Sequence, residues 1–230
     1  MASYPHRESA DVVREFLLLE DARVLDVGCG NGSLVRMMAQ VGAEVTGLEI
    51  SESQLARARA ESPAGGESYR VGRAEALPFD DRAFDIVVFF NSLHHIPVSG
   101  HEKALAEAAR VLEIGGELLV VEPLAEGPYF ELMRPVDDET EVRDAAYAAL
   151  RRVAEGPAFE EIREYKFATD YCYDSFGSFK DAVLQVDESR RAAFESHATQ
   201  LRKNFERTAR RTADGYGFTH PKRLNLLKRL

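Results

Sequence analysis

The residues with the most chemistry per position lie in one short run, Asp26-Val27-Gly28-Cys29-Gly30-Asn31-Gly32. Three glycines in five residues let the backbone turn tightly and approach a ligand with no Cβ in the way. The run follows a buried-strand pattern, Val24-Leu25-Asp26-Val27, and precedes a helical one through Leu34, Val35, Met37 and Met38. It therefore leads into a helix N-terminus, where free N–H groups and positive dipole collect. Two cofactor classes use such a turn. Dinucleotide enzymes place a pyrophosphate over GxGxxG, but here the third glycine of that pattern falls on Ser33. The pattern present is GxGxG with Asp26 two positions ahead. A carboxylate at the strand end repels a pyrophosphate and suits the ammonium end of an amino acid. The plain alternative is a turn that needs glycine only for its shape.

A second acid stands at the end of the next strand. Glu49 closes the strand pattern Glu44 to Ile50. In open α/β sheets ligands bind outside the carboxyl ends of the strands. A carboxylate there can accept two hydrogen bonds from vicinal ribose hydroxyls. Ser51 is a reasonable N-cap for the following helix, and Glu49 is not needed for that cap.

The elements that must hold these residues alternate regularly. After the two strands above come a helix through Leu55 and Ala58, a weak strand Ser68 to Val71, and a strong strand Phe84 to Phe90. A helix His101 to Leu112 follows, with Gly115-Gly116 read as its C-terminal stop, then a strand Glu117 to Glu122. Strands alternating with helices imply an α/β fold, a doubly wound, mostly parallel sheet with helices on both faces. After Pro123 the rhythm changes. Thr140 to Ala154 reads as a helix and Phe159 to Tyr173 as a long strand, interrupted or bent. Phe176 to Arg211 reads as two helices, and Tyr216 to Leu230 has strand character. The expectation is one domain over 1–230. Residues 1–20 hold an N-terminal lid helix, its apolar part Val12 to Leu19. Residues 21–124 hold the cofactor-binding core, and 125–230 the end of the sheet with an inserted helical piece.

Taken together, these residues make the stretch from about Val24 to Glu122 resemble the class I S-adenosylmethionine-dependent methyltransferases. It is most similar to the small-molecule group called type 11, which is similar to the ubiquinone/menaquinone biosynthesis methyltransferases. The resemblance implies a Rossmann-like fold whose last strand is antiparallel, with S-adenosyl-L-methionine as cofactor and S-adenosyl-L-homocysteine as product. It implies that Asp26, Gly28, Cys29, Gly30 and Asn31 cradle the methionine part, that Glu49 binds the ribose and that Ile50 packs on adenine. Gly72-Arg73-Ala74-Glu75-Ala76-Leu77-Pro78-Phe79 resembles the segment that recognises the adenine edge, here through Ala74 and Glu75. Asn91-Ser92-Leu93-His94-His95 resembles the loop after the fourth strand, with Asn91 at the cofactor. Two positions depart from the pattern. Arg73 stands where an acidic residue is common, and arginine has only donors for adenine's amino group, so either the backbone near Ala74 and Glu75 binds adenine or Arg73 stacks on it. Ile114 stands where proline is frequent.

Methyl transfer needs alignment of nucleophile and methyl and exclusion of water; a base is needed only for a nucleophile that carries a proton of high pKa. His94 and His95 are the candidates for such a base, with His94 favoured, since adjacent side chains point apart; the alternative is that both simply pack the loop. Tyr4, His6 and Arg7 are candidate lid residues. Tyr165, Tyr171, Tyr173, Phe176 and Phe179 are candidates for an aromatic acceptor pocket, although aromatic stripes are more often core. Arg202, Lys203, Arg207, Arg210 and Arg211 read as a basic helix, either a solvated face or a site for an anionic acceptor or partner.

Composition narrows the partners. The formal net charge of −10 argues against a phosphate-backbone partner. Asn91-Ser92-Leu93 also lacks the Asn/Asp-Pro-Pro-aromatic sequence of base and glutamine methylation. No apolar run has the length of a membrane span, and Met1 to Glu8 lacks a signal-peptide layout, so the expected location is cytoplasmic. Two cysteines, Cys29 and Cys172, have no metal-ligand spacing, and no metal is expected. The acceptor expected is a small molecule. A non-catalytic cofactor-binding protein and an NAD-type oxidoreductase are the competing readings.

Overall fold

The computed structural model describes residues 4–230; the expectations for the N-terminus that fall on residues 1–3 lie outside the described residues. Contacts divide the chain into two compact units. The first comprises Glu8–Glu122, Asp144–Tyr165 and Arg223–Leu230; the second comprises the described residues up to Arg7, Pro123–Arg143 and Lys166–Lys222.

The first unit is built on a sheet. Its strands are β1 (Arg23–Val27), β2 (Glu44–Glu49), β3 (Gly66–Val71), β4 (Phe84–Phe90), β5 (Leu112–Pro123), β6 (Phe159–Tyr173) and β8 (Gly215–Arg229), the last three with residues in both units; β7 (Arg210–Thr212) lies in the second unit. Their order is β3-β2-β1-β4-β5-β8-β6. The pairs β1–β2, β1–β4, β2–β3 and β4–β5 are parallel, and β8 is antiparallel, as expected. The helices are α1 (Ser9–Phe16), α2 (Ser33–Gln40), α3 (Glu52–Ala60), α4 (His101–Val111) and α6 (Thr140–Ala154). β1 and β4 are almost wholly buried runs, which is why they read as central strands. On α4, Ala104, Leu105, Ala108 and Val111 form the buried stripe. They pack with Leu118 and Val120 of β5, Ala146, Ala149 and Leu150 of α6, and Leu227 of β8 in one core.

Three expected boundaries are corrected. The helix α4 does not stop at Gly115-Gly116. It ends at Val111, Leu112 is already extended, and both glycines lie inside β5. The reason is a register jump, from Phe84 opposite Leu112 to Ile86 opposite Glu117. Gly115 takes φ +80° there, and a Cβ on Gly116 would stand 2.8 Å from the Asp85 carbonyl oxygen. The N-terminal helix is Ser9–Phe16, so Leu17 to Leu19 fall after it, with Val12 and Val13 fully buried. Lastly, Phe176 to Arg211 holds three α-helices, α7 (Phe176–Val186), α8 (Arg191–Ser196) and α9 (Ala198–Thr208), with a short 3-10 turn Glu188–Arg190 between the first two, and then β7, which takes Arg210 and Arg211 out of the expected basic helix. Asp187 breaks the run by accepting from the Ser189 amide.

The second unit has its own core. Leu132 and Met133 from α5 (Pro128–Met133), Phe179 and Val183 from α7, Phe194, Leu201, Phe205 and Phe218 are buried together. Within it Arg7 N–H donates to the Ala168 carbonyl at 2.9 Å, and Tyr4 Oη donates to Glu126 at 2.7 Å.

Candidate active site at the carboxyl edge

The parallel strands β1, β2, β4 and β5 end together, and each ends in a polar residue or loop. Asp26 is 1% exposed and its Oδ1 has no hydrogen-bond partner. Burial, and secondarily the Glu49 carboxylate, pushes its pKa up to about 7. The glycine loop above it is anchored to β2: Gly28 and Cys29 N–H both donate to the Leu48 carbonyl, at 2.7 and 3.0 Å. Gly28 has φ +77°, and a Cβ there would stand 2.6 Å from the Ser92 Cβ. Gly30 has φ +54° and open space where its Cβ would be. Asn31 Oδ1 accepts from Ser33 N–H at 3.2 Å, turning the chain into α2. The Cys29 thiol is buried and its pKa is raised, first by desolvation.

Glu49 is tied into this loop. Its Oε2 accepts from Gly30 N–H at 3.0 Å, and its Oε1 from Ser51 N–H at 2.9 Å. Each carboxylate oxygen retains a lone pair for a further donor. Ile50, next in the chain, is 57% exposed. The Gly72 amide donates to the Glu49 carbonyl at 3.1 Å, which brings the segment after β3 beside it. That segment is braced on α4: Leu77 N–H donates to Glu107 at 2.8 Å, and Arg110 donates to the Leu77 and Phe79 carbonyls. Hydrogen bonds from Arg110 hold the Glu107 carboxyl below its usual range. Ala74 is buried, and Glu75 accepts from Arg73 at 3.2 Å. Arg73 is thus engaged with its neighbour Glu75.

The loop after β4 supplies the histidines. Asn91 takes φ +52°, a conformation asparagine tolerates, and its buried Oδ1 has no partner. Ser92 Oγ donates to the Val27 carbonyl at 2.6 Å, which locks this loop to the glycine turn. Glu122, buried at the end of β5, organises the rest. Its Oε1 accepts from the amides of Ser92 and Leu93, at 3.1 and 2.9 Å, and its Oε2 is hydrogen-bonded to His94 Nδ1. His94 is buried, and the ring of the more exposed His95 lies 4.0 Å from it between centroids.

The first unit therefore brings Asp26, Gly28, Cys29, Gly30, Asn31, Glu49, Ile50, Ala74, Glu75, Asn91 and His94 onto elements of one sheet edge. Sequence reasoning missed Glu122 and Ser92. The available signal was an acid closing an all-apolar strand, Leu118-Leu119-Val120-Val121-Glu122. The aromatic candidates do not form one group. Tyr165 lies against Phe16 in the first unit, 5.3 Å between centroids. In the second unit Phe179 is core, Phe176 and Tyr173 pack against that core, and Tyr171 stacks with Tyr129 and His220.

Residues 25–120 match the family model described as a methyltransferase domain. The 27-O-demethylrifamycin SV methyltransferase of Amycolatopsis mediterranei is 42% identical over 101 residues, covering 42% of this chain and 36% of that protein. The demethylmenaquinone methyltransferase of Thermus thermophilus is 41% identical over 112 residues, covering 46% and 50%. The chain spans half or less of the length of these curated relatives. The solved structure of the [4+2]-cyclase SpnF shares the fold, with a TM-score of 0.67 and 20% identity over 98% of this chain and 86% of that one. The carboxyl edge just described is built largely within residues 25–120, the segment that is similar to the methyltransferase domain.

Proposed function

We propose that the protein transfers the methyl group of S-adenosylmethionine to a small-molecule acceptor at this edge, releasing S-adenosylhomocysteine. The observation that carries the reading is the unpartnered, fully buried Oδ1 of Asp26 beneath the open glycine loop. A buried acceptor without a donor is rare, and an amino acid's ammonium group supplies one. In this reading Glu49 takes the ribose hydroxyls, Ile50 packs on the adenine face, and the Ala74–Glu75 backbone meets the adenine edge. Gly28, Cys29, Gly30 and Asn31 form the cradle, and Asn91 Oδ1 offers a further acceptor. When bound, the cofactor supplies a methyl carbon activated by its sulfonium. His94 is the base for an acceptor that carries a proton: Glu122 holds Nδ1, so Nε2 takes the proton, and the carboxylate stabilises the imidazolium. His95 is the second candidate. The names of the two relatives above, both acting on small molecules, support the acceptor class. A fold shared with a cyclase does not select methyl transfer by itself; the family match and the acid pair support it. Ser33 and Asp26 disfavour NAD, and the charge of −10 disfavours nucleic acid. Among the described residues no helix is long and apolar enough to cross a membrane. A reducing, cytoplasmic location belongs to the same reading, supported by the free thiols of Cys29 and Cys172.

Thermal unfolding and calorimetry test this. S-adenosylhomocysteine should raise the melting temperature and NAD should not. Glu49→Ala should weaken the nucleoside by about tenfold or more, the worth of one charge-assisted hydrogen bond. Stabilisation by NAD alone, or wild-type affinity in Glu49→Ala, would overturn the assignment. Methyl incorporation from labelled cofactor into a candidate acceptor separates an enzyme from a cofactor-binding protein.

A further inference from the structure

The same edge carries a buried cation that the reading above leaves without a role. Arg223 on β8 is 8% exposed. Taking a guanidinium out of water is costly unless its donors are met. The strand ladder locates it. Leu124 N–H donates to the Pro221 carbonyl at 2.9 Å. Carried back along two antiparallel strands, that register sets Arg223 opposite Glu122, so their side chains share a face. Alternation agrees: Glu122 follows Leu118 and Val120 on β5, and Arg223 precedes Leu227 on β8. All three apolar residues belong to the core with α4 and α6. Arg223 thus stands beside the Glu122–His94 pair.

Protein side chains engage only part of its donor set. A guanidinium has five N–H groups. Nε donates to Asn225 Oδ1 at 3.0 Å, and the group lies over the Tyr147 ring, 3.3 Å from its centroid. Tyr147 is held in turn by Glu164 at 2.8 Å, and Asn225 donates to Glu161 and Glu164. Glu164, Glu122 and Asp144 act on Arg223 electrostatically. Yet none of them is hydrogen-bonded to it, and no carboxylate among the described residues forms an ion pair with it. The terminal nitrogens are left for a ligand, on a fork whose plane is fixed by the tyrosine ring. We propose that Arg223 recognises the methyl acceptor, and that the acceptor presents a compact oxyanion, a carboxylate or a phenolate, to this edge beside His94. The proposal rests on the acceptor site assigned above. Arginine suits the task because its planar fork meets a carboxylate through two parallel bonds.

The test uses benzoate and its neutral counterpart benzamide, titrated into the full chain by calorimetry, with and without saturating S-adenosylhomocysteine. Wild type should bind benzoate at least tenfold more tightly than benzamide. Arg223→Gln should abolish that preference while keeping its affinity for S-adenosylhomocysteine within about twofold. Arg223→Lys, which keeps the charge, should bind benzoate more tightly than Arg223→Gln does. Equal binding of the two probes by wild type, a preference that survives in Arg223→Gln, or equality of the two variants overturns the assignment. Should Arg223→Gln not fold, a preference retained by wild type and reduced in Arg223→Lys decides in its favour, and an unchanged one decides against. Failure of S-adenosylhomocysteine to bind wild type would instead remove the cofactor reading, and the probe comparison is also made without the nucleoside.

Discussion

Asp26 is the residue on which pH acts most directly. Its carboxyl, pushed up to about 7, keeps its proton in the folded chain where the unfolded chain has lost it, at an ordinary value of 3.8. Proton uptake on folding means that Asp26 costs stability as pH rises between those values, after which the effect levels off. Asp26→Asn is therefore expected to be more stable than wild type at pH 8, with the difference shrinking toward pH 4. Urea unfolding at both ends of the range measures it, and a difference independent of pH would contradict the burial account. Ligand binding should follow the opposite course. An ammonium group needs the ionised carboxylate, so affinity for S-adenosylhomocysteine should rise from pH 6 to 8 in wild type and stay flat in Asp26→Asn. Two glycines a residue apart allow a second contrast. Gly30→Ala meets open space and bears only the left-handed backbone, about 1–2 kcal/mol, whereas Gly28→Ala also meets Ser92 Cβ at 2.6 Å. Chemical denaturation should therefore find Gly28→Ala the more damaging. Equal losses would show that Ser92 yields easily.

At the scale of elements, what could be read from sequence follows from burial. Val24–Val27 and Phe84–Phe90 are legible because central parallel strands are apolar on both faces. Glu44–Glu49 and α4 are legible from their periods. The edge strand β3 is weak in sequence because every one of its residues is at least partly exposed. The start of β5 is hidden because its bulge is built from glycines, and a glycine pair after a helix also reads as a cap. Asp26, Glu49 and the glycines are legible as a site because their spacing along the chain equals their placement at strand ends. Glu122, Ser92 and Arg223 are not. Their roles come from neighbours distant in sequence: Val27 for Ser92, His94 for Glu122, and the strand opposite for Arg223. No local period encodes a cross-strand partner.

At the scale of the whole molecule, each unit has its own core, and the aromatic residues of the second serve that core first. Phe205 lies within 6 Å of Phe176, Phe179, Phe218 and Tyr216, ring to ring. Phe205→Ala is expected to cost about 3–5 kcal/mol of stability, with affinity for S-adenosylhomocysteine nearly unchanged in the protein that remains folded. Calorimetric unfolding together with nucleoside titration checks this; an unchanged melting temperature would return these rings to the role of acceptor pocket. The order of the sheet carries a further consequence. β8 lies between β5 and β6, yet it is the last of that sheet's strands to be synthesised. Until it emerges from the ribosome, β5 has a partner on one side only. Its Leu118-Leu119-Val120-Val121 run is then an open apolar edge, able to pair with another chain. Nascent and truncated chains should therefore be the aggregating species. The strand that ends this exposure also delivers Arg223, so the edge acquires its buried cation only as the sheet closes.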